Sequence, residues 1–445
     1  MNSIWTDTAT FSSYEKLDKN IKTDVLIIGG GITGLLCAYM LKQAGVKYTL
    51  VEADTICSGI TKNTTAKITS QHGLIYHKLL KNAGLEKARM YLAANELAIK
   101  EYDKLCNSIN CNYELKDSYV YSTNNKNLIK KELDALNIIG YKAYFTKKIP
   151  VPIDIEGAVC FKNQAQFNPL QFLSEISKDL NIYEYTKVLK IENNIAYTNH
   201  NKIMASDIIV ATHFPFINTH GNYFLKMYQD RSYVVAIENK SQNTDLEMRN
   251  IASDISGMYV DDEKTGMSFR TYDNMLLIGG GSHRTGKYGG NYTELYSFVE
   301  KNYPHCSIKY HFSTQDCMTV DEIPYIGHYS KFTPHLYVAT GFNKWGMTSS
   351  MVAAMILRDM LTGIDNPYRY VFSPSRLYLK PQLFVNCIEA TKNILTPSTK
   401  RCPHLGCALK WNQAEHTWDC PCHGSRFTKD GELIDNPATD DLKNN

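Results

Sequence analysis

The stretch VLIIGGGITG, at residues 25–34, decides the first part of the fold. Its first four residues form a continuous apolar run, which is typical of a strand buried on both faces of a sheet. Glycines then follow in the order G-x-G-x-x-G, and the apolar residues 35–44 predict a helix. A second strand, YTLV at 48–51, leads to Glu52, 18 residues after Gly34. Strand, glycines, helix, strand and acid in this order predict a Rossmann-type dinucleotide site. The helix N-terminus would bind the phosphates and the acid a ribose hydroxyl.

Three later stretches bear on which dinucleotide is bound. They are SGITKNTTAK at 58–67, IIVAT at 208–212, and DEIPYIG at 321–327 followed by LYVATGFNKWGMT at 336–348. Together they resemble the second FAD loop, a late apolar strand and the terminal FAD segment of the D-amino-acid oxidase and glycine oxidase (DAO) superfamily. The resemblance implies FAD. With the dinucleotide motif, it gives as expected FAD-binding residues Gly29, Gly31, Ile32, Thr33, Gly34, Glu52, Ala53, Thr61, Thr65, Ala66, Val188, Thr212, Gly341, Lys344, Trp345, Gly346, Met347 and Thr348.

A cluster of cysteines and histidines near the C-terminus predicts a metal site. Four of the twelve cysteines lie within 21 residues. The pattern is C-x-H, fifteen residues, then C-x-x-H, which supplies four ligands from two loops. These are Cys402, His404, Cys420 and His423. The spacing leaves structural zinc open, although zinc would require neither Cys407 nor Cys422 in the same loops.

The two loops, CPHLGC at 402–407 and CPCHGSRF at 420–427, closely resemble the Rieske iron–sulfur family. That resemblance implies a [2Fe–2S] cluster, with the two cysteines of the pattern on one iron and the two histidines on the other. It also implies a disulfide between Cys407 and Cys422. Fuller members carry several strands before the first ligand loop, whereas here the flavoprotein-like sequence ends near residue 363. We therefore expect a trimmed domain whose cluster is covered by the neighbouring domain.

The expected fold class is α/β, or α+β overall, with a small all-β domain at the C-terminus. The predicted parts are a discontinuous FAD-binding domain (20–78, 150–221 and 318–365), an inserted sheet-and-helix substrate domain (79–149 and 222–317), a connecting segment (366–397) and a Rieske domain (398–442).

Composition narrows the class of protein. Of 445 residues, 43% are hydrophobic and 21% are charged, which excludes a disordered tail, a collagen-like chain and a small disulfide scaffold. The net charge of +3 gives no reason to expect a nucleic-acid or membrane-surface partner. The polar N-terminus and the glycine-broken apolar runs predict a cytoplasmic protein with no signal peptide and no membrane span.

The DAO resemblance implies a small amine or amino-acid-like substrate, whose carboxylate is usually anchored by arginine. Three arginines are candidates: Arg231, Arg270 and Arg284. Arg270 ranks first because alternation along a strand could aim it at the flavin, with Tyr272 on the same face. His72 and Lys344 lie in segments expected to approach the flavin. An ordinary ion pair, packing role or surface role is the alternative for each of these residues.

Flavin takes two electrons as a hydride, whereas a [2Fe–2S] cluster carries one. Both sites in one chain predict a dehydrogenase-type enzyme that passes electrons singly through the cluster to an external acceptor protein or quinone. An electron-transfer flavo-iron–sulfur protein without a small organic substrate is the alternative. A flavoprotein with a zinc-binding tail is the third possibility.

Overall fold

The computed structural model describes residues 3–240, 254–263, 265–287, 289, 291–376 and 380–442. In chain order the strands are β1 (Ile21–Ile28), β2 (Tyr48–Val51), β3 (Lys67–Ile68), β4 (Glu114–Ser122), β5 (Tyr144–Thr146), β6 (Gly157–Gln166), β7 (Ile182–Tyr183), β8 (Val188–Glu192), β9 (Ile195–Thr198), β10 (Lys202–Val210), β11 (Met227–Asn239), β12 (Gly257–Asp261), β13 (Ser268–Tyr272), β14 (Met275–Arg284), β15 (Cys306–Thr319), β16 (Tyr325–His328), β17 (Leu336–Thr340), β18 (Lys410–Asn412), β19 (Thr417–Asp419), β20 (Arg426–Thr428) and β21 (Leu433–Asp435). The helices are α1 (Ile32–Gln43), α2 (Tyr76–Ala83), α3 (Leu85–Cys106), α4 (Lys126–Ile139), α5 (Pro169–Ile176), α6 (Tyr223–Lys226), α7 (Thr293–Asn302), α8 (Gly346–Leu361), α9 (Arg369–Phe372) and α10 (Pro381–Leu395).

The first sheet has the strand order β16-β17-β10-β1-β2-β7, and the β8–β9 hairpin extends it from β10. Strand β1 lies parallel to both β2 and β10, and β17 lies parallel to β10. Helices α1 and α8 pack against each other, and about three quarters of the residues of each are buried. The apolar run of β1 is therefore covered, as expected for a parallel strand. Among the described residues, no helix combines the length and the apolar character needed to cross a membrane.

The second sheet has the order β15-β11-β14-β13-β12-β4-β6-β3, with β5 paired to β6. Its long edge pair, β11 and β15, runs antiparallel from Met227 opposite Thr319 to Asn239 opposite Cys306. Strands β3 and β6 belong to this sheet, although the sequence placed both stretches in the FAD-binding domain. Segments with FAD-like motifs and strands of the second sheet therefore alternate along the chain more often than the predicted domain boundaries allow.

The C-terminal sheet is a four-stranded antiparallel meander, β18-β19-β20-β21. Before it, the segment predicted as a connection contains α9 and the fifteen-residue helix α10. The prolines of this segment suggested a linker. Pro381 instead starts α10, because proline is favoured in the first turn of a helix, where no backbone N–H is needed.

Candidate functional site

A cavity of about 720 Å³ lies at the carboxyl ends of β1 and β2, beside the N-terminus of α1. Two glycines allow α1 to approach β1 closely. A Cβ on Gly34 would lie 1.9 Å from the carbonyl oxygen of Gly29. Gly29 itself has a φ of +109°, and its Cβ would lie 2.5 Å from the carbonyl oxygen of Ala211. The first turn of α1 consequently lines the cavity, in a position suited to binding phosphate.

Glu52 follows β2 and lines the same cavity. Its carboxylate accepts hydrogen bonds from the backbone N–H groups of Gly30 (2.6 Å) and Asp54 (3.0 Å). Burial raises the pKa of this carboxyl group, and the backbone hydrogen bonds oppose that shift. The acid is thus held at the end of the second strand, where a ribose hydroxyl is bound in Rossmann-type sites.

Most of the residues expected to contact FAD line this cavity. They are Gly29, Gly31, Ile32, Thr33, Glu52, Ala53, Thr61, Val188, Thr212, Gly341, Lys344, Gly346 and Met347. Thr65 and Trp345 instead line a second cavity. Gly34 lies behind the first cavity, at the contact between α1 and β1. Ala66 and Thr348 line neither cavity and form hydrogen bonds within the protein.

The first cavity also has walls that the motifs did not indicate. One comes from the second sheet, through Thr314 and Asp316 on β15. Another comes from the C-terminal domain, through residues 433–436, Ala438 and Thr439. These residues are remote in sequence from the glycine motif, and nothing in the sequence indicates that they lie beside it. Only the packing of the three sheets brings them together.

The second cavity, of about 290 Å³, adjoins the first between the loop that precedes α8 and the second sheet. The two cavities share the lining residues Thr64, Thr314, Asp316, Asn343, Lys344, Gly346 and Met347. A compound in the second cavity would therefore lie next to a cofactor in the first.

Two carboxylates and one ammonium group form a charged wall of the second cavity. Asp230 and Asp316 are directly paired across β11 and β15. Lys344 Nζ lies 3.8 Å from the Asp230 carboxylate, and it donates hydrogen bonds to the hydroxyl groups of Ser232 (3.1 Å) and Ser282 (2.7 Å). Burial raises the pKa of Asp316 to about 6. The ammonium of Lys344 opposes this shift and the carboxylate of Asp230 adds to it.

Lys67 supplies a second cation to this cavity. Burial, together with the nearby guanidinium of Arg270, lowers the pKa of Lys67 to about 7. Its Nζ donates to the hydroxyl of Thr65 (3.1 Å), and it has no acidic partner among the described residues. An anionic group in the cavity would therefore find an unpaired ammonium.

His72 has a packing role at the edge of the cavity. Its ring stacks on Trp345 at 5.1 Å, and its Nδ1 lies 2.6 Å from the hydroxyl of Tyr91. Its Nε2 lies 2.9 Å from the hydroxyl of Thr348. Burial lowers the pKa of His72 to about 3, so the imidazole is neutral and fixes the loop before α8.

The structure corrects the expectation that Arg270 and Tyr272 anchor a substrate. Arg270 is wholly buried, and its Nη1 donates to the carbonyl oxygens of Thr65 (2.7 Å) and Ala66 (2.9 Å). The hydroxyl of Tyr272 accepts a hydrogen bond from Asn168 (2.8 Å). Neither side chain lines either of these two cavities, and the protein binds Nε and Nη1 of Arg270, whereas its Nη2 is buried without a hydrogen-bond partner among the described residues.

The other two arginine candidates bind the C-terminal domain. Arg231 is 2% exposed and forms an ion pair with Glu415. Arg284 donates from Nε to the carbonyl oxygen of Pro421 (3.1 Å) and from Nη2 to that of Cys422 (3.1 Å). Among the described residues, no arginine lines the second cavity.

The two predicted ligand loops lie side by side. The thiols of Cys402 and Cys420 are hydrogen-bonded to each other, and the rings of His404 and His423 lie 5.0 Å apart, almost perpendicular. Both Nδ1 atoms are buried without a hydrogen-bond partner among the described residues. The Nε2 of His404 lies 2.9 Å from the amide oxygen of Asn218. Two thiols and two unpaired ring nitrogens are therefore available as ligands in adjacent loops.

The protonation state of the two histidines suits either metal, and the spacing of the four ligands favours iron over a single zinc ion. Burial lowers the pKa of His404 to about 4 and that of His423 to about 3, which keeps both rings neutral, as metal binding requires. In the described part of the chain, the four ligand atoms do not gather within 4.8 Å of one another, as those of one zinc ion would. Two irons suit the wider spacing.

A disulfide joins Cys407 to Cys422 and thereby links the two loops. The sulfur of Cys420 lies within 4.8 Å of both. These three sulfur atoms are not a metal site, because the two bonded cysteines offer no thiolate.

Residues of the second sheet form hydrogen bonds with the second cluster loop. Gln229 Nε2 donates to the carbonyl oxygen of His423 (2.7 Å), and Gln315 Nε2 donates to that of Gly424 (2.8 Å). A Cβ on Gly424 would lie 2.7 Å from the Cβ of Gln229, so only glycine allows this approach. Asn436 Nδ2 donates to two carbonyl oxygens of the segment after β10 (2.6 and 2.8 Å).

Comparisons with known proteins agree with this geometry. A family model described as FAD dependent oxidoreductase (DAO) matches residues 24–360. The chain belongs to the DAO family of FAD-dependent oxidoreductases. A second model, described as Rieske [2Fe-2S] domain, matches residues 383–445. This DAO-family enzyme thus carries a C-terminal Rieske centre.

Among the relatives of this DAO-family protein is the putative Rieske 2Fe-2S iron-sulfur protein YhfW of Bacillus subtilis (strain 168). It is 35% identical over 504 aligned positions, which cover 99% of this chain and 97% of that protein. Glycine oxidase from Geobacillus kaustophilus has a similar fold, with a TM-score of 0.66 and 17% identity over 80% of this chain and all of that one. L-proline dehydrogenase from P. horikoshii has a TM-score of 0.64 and 18% identity over 80% of this chain and 98% of that one.

FAD and a [2Fe–2S] cluster are the cofactors of these two domains, and the residues present fit them. The glycine turn leaves space beside the first turn of α1 that side chains at Gly29 or Gly34 would disturb. The free Nδ1 atoms of His404 and His423 supply ring nitrogens, and Cys402 and Cys420 supply sulfur.

The close approach of α1 to β1 predicts that Gly34→Ala prevents normal flavin binding. The added methyl meets the Gly29 carbonyl, which we expect to destabilise the fold by about 1–3 kcal/mol. Thermal unfolding and the flavin absorbance per chain measure both effects. Gly59→Ala is a control for stability alone, because its Cβ meets no atom within 4 Å and the unfolding midpoint of the flavin-free protein should stay unchanged, whereas Gly59 itself lines the cavity. A Gly34→Ala protein with full flavin content and stability would contradict this account.

The ligand assignment predicts that Cys402→Ala loses the cluster and keeps the flavin. Iron and acid-labile sulfide per chain should fall to background, whereas the flavin absorbance should remain. Cys387→Ala, a substitution of a partly exposed cysteine on α10, should leave both unchanged. Zinc in place of iron in the unmodified protein would refute the assignment.

Proposed function

We propose that the protein oxidises a small amine or amino-acid-like compound and passes the electrons singly to an external acceptor protein or quinone. The observation that carries this proposal is the second cavity, which adjoins the cavity lined by the FAD motifs and has its own charged lining. An enzyme of this class requires a place for a substrate beside its flavin. A pure electron carrier has no use for one.

The charges of the second cavity suit a substrate with an amine and a carboxylate. Asp230 and Asp316 would bind an ammonium group, and Lys344 keeps the two carboxylates from repelling each other fully. Lys67 would bind a carboxylate, in place of the arginine that is usual for this purpose. The wall of His72 and Trp345 restricts the space left for water.

FAD, when bound, accepts a hydride from a carbon bearing an amine, and the Rieske centre carries one electron at a time. The chain places the two sites close together. Residues 433–436 line the first cavity. Gln229 Nε2 donates hydrogen bonds to the backbone carbonyl oxygens of Asn436 and His423. Gln229 therefore links this short segment of the first cavity to the second cluster loop.

An anaerobic screen of amines and amino acids tests the proposal. A substrate should bleach the flavin absorbance and then produce the signal of a reduced cluster in electron paramagnetic resonance. Steady-state turnover should be fast with a one-electron dye and slow with oxygen alone. Equally fast turnover with oxygen would contradict the role of the cluster. If no compound reduces the flavin but a reduced redox protein does, the chain is an electron carrier without a small organic substrate.

The position of Lys67 predicts a pH dependence of substrate binding. The ammonium is charged below a pKa of about 7 and neutral above it, so kcat/KM for a carboxylate-bearing substrate should fall as the pH rises through 7. Lys67→Met should raise KM about tenfold at pH 6, the loss of one charge-assisted hydrogen bond, and should flatten the profile. Lys78→Met is the control, since Lys78 lines the same cavity but is exposed and paired with Glu322. An unaltered profile in Lys67→Met would remove this residue from the site.

The contact at Gly424 predicts that the interface between the cluster domain and the second sheet can be weakened without substituting a cluster ligand. Gly424→Ala places a methyl group against Gln229 and should weaken the interface by about 1–3 kcal/mol. In stopped-flow experiments the flavin should be reduced at the normal rate, and the cluster more slowly. Gly406→Ala also substitutes a positive-φ glycine in a ligand loop, but its Cβ meets no atom. The same delay in both variants would assign the effect to backbone strain.

A further inference from the structure

Helix α10 lies on the protein with its polar side inward. Asn386 and Asn393 are buried, whereas Phe384, Ile388 and Leu395 are 63%, 66% and 74% exposed. A surface helix of a globular protein ordinarily has the opposite arrangement, with its apolar stripe towards the core. The exposed side of α10 is therefore unlike a solvated surface.

Specific contacts fix this orientation. Asn386 accepts a hydrogen bond from Arg284 (3.0 Å) and donates to the carbonyl oxygen of Leu225 (3.1 Å). Glu389 forms an ion pair with Lys287. Because these partners lie on β14, after β14 and on α6, the helix cannot turn over without leaving polar groups unpaired.

The exposed apolar residues form one surface, which we call the α10 face. It consists of Phe384, Val385, Ile388, Ile394, Leu395 and, at the tip of the first cluster loop, Leu405. In the ranges that the structure describes, nothing covers it. Several large apolar side chains exposed on one helix are typical of a binding site for a partner or a membrane.

The α10 face adjoins the first cluster loop. Arg401 donates hydrogen bonds to the carbonyl oxygens of Ile394 (3.0 Å) and Gly406 (2.8 Å). The backbone N–H of Ala408 donates to the carbonyl oxygen of Asn393 (2.9 Å). Whatever binds the face therefore lies against the loop that carries His404.

The charges around the α10 face are positive. Lys392 is exposed one turn after Ile388, on the same side of the helix, and the exposed Arg401 follows the C-terminal end. Glu389, the only acidic residue in the sequence of α10, points inward to Lys287. Phenylalanine, isoleucine and leucine on one side, with lysine and arginine beside them, are the pattern of a helix that lies in the interface of an anionic membrane.

We propose that the α10 face binds the surface of a membrane containing anionic phospholipids and brings the first cluster loop to an acceptor dissolved in that membrane. Membrane binding stands on the geometry of α10 alone. The identification of the acceptor as a lipid-soluble quinone rests on the proposed function. The net charge of the whole chain does not indicate this surface, since it averages over 445 residues.

Vesicle flotation of the purified holoprotein tests the proposal. The protein should float with vesicles of phosphatidylcholine and phosphatidylglycerol, less with phosphatidylcholine alone, and less at high salt. The double variant Ile388→Asp/Leu395→Asp should bind at least roughly tenfold more weakly, because two buried side chains are lost and two negative charges added. Phe332→Asp is the control, as Phe332 is 87% exposed and lies outside the face.

Each other outcome has a definite meaning. Failure of the unmodified protein to bind anionic vesicles at low salt, or equal binding by the double variant, would overturn the proposal. A dimer that the double variant dissociates, without vesicle binding, would make the face an interface between two copies. Slower reduction of a soluble acceptor protein by the double variant, again without vesicle binding, would make it a protein-docking site.

Turnover separates this proposal from the proposed function. With the one-electron dye, the double variant should turn over as the unmodified protein does. With a quinone in anionic vesicles it should turn over more slowly. If no substrate is found, flotation still decides the membrane question. If the protein does not float with vesicles, the substrate screen still tests the proposed function.

Discussion

A buried ion network around Glu415 holds the C-terminal domain on the second sheet. Arg231, on β11, and Arg426, on β20, both bind the Glu415 carboxylate. Arg426 also pairs with Asp419 (3.2 Å) and Asp435 (2.9 Å). All five side chains are largely buried, and removing one partner from such a network typically costs about 3–5 kcal/mol, because it leaves an uncompensated charge. The network therefore fixes the position of the Rieske domain and does not merely add to its stability.

That position determines how the two cofactor sites are related. The segment from Leu433 to Asn436, which follows β20 and includes Asp435, becomes a wall of the FAD cavity. The imidazole rings of His404 and His423 face the flavoprotein, where the ring of His404 contacts Asn218 and the ring of His423 contacts Phe214 and Phe224. On the outward side of the first ligand loop, Leu405 is exposed.

The sequence predicted the parts of the site whose chemistry is local. Gly29, Gly34 and the four cluster ligands could be recognised because phosphate and iron binding require fixed residue types within a few positions of each other. The arginine candidates failed for a different reason. Alternation along a strand shows that Arg231 and Arg270 stand on a face of the second sheet, but it cannot show what packs there. One meets Glu415 and the other the carbonyl oxygens of residues 65 and 66.

Helix α10 is a second feature that its own sequence could not predict. Its sequence has an apolar stripe and a polar stripe, and nothing within it states which is turned inward. Arg284 decides this, because its Nη1 binds Asn386 on the polar stripe while its Nε and Nη2 bind the carbonyl oxygens of Pro421 and Cys422. One guanidinium therefore holds the second cluster loop and turns the apolar side of α10 outward. The five donors of arginine lie in one rigid plane. The contacts of Arg284 with the second cluster loop therefore also fix the direction of its contact with Asn386. The orientation of the exposed apolar face is in this way a consequence of how the cluster is held.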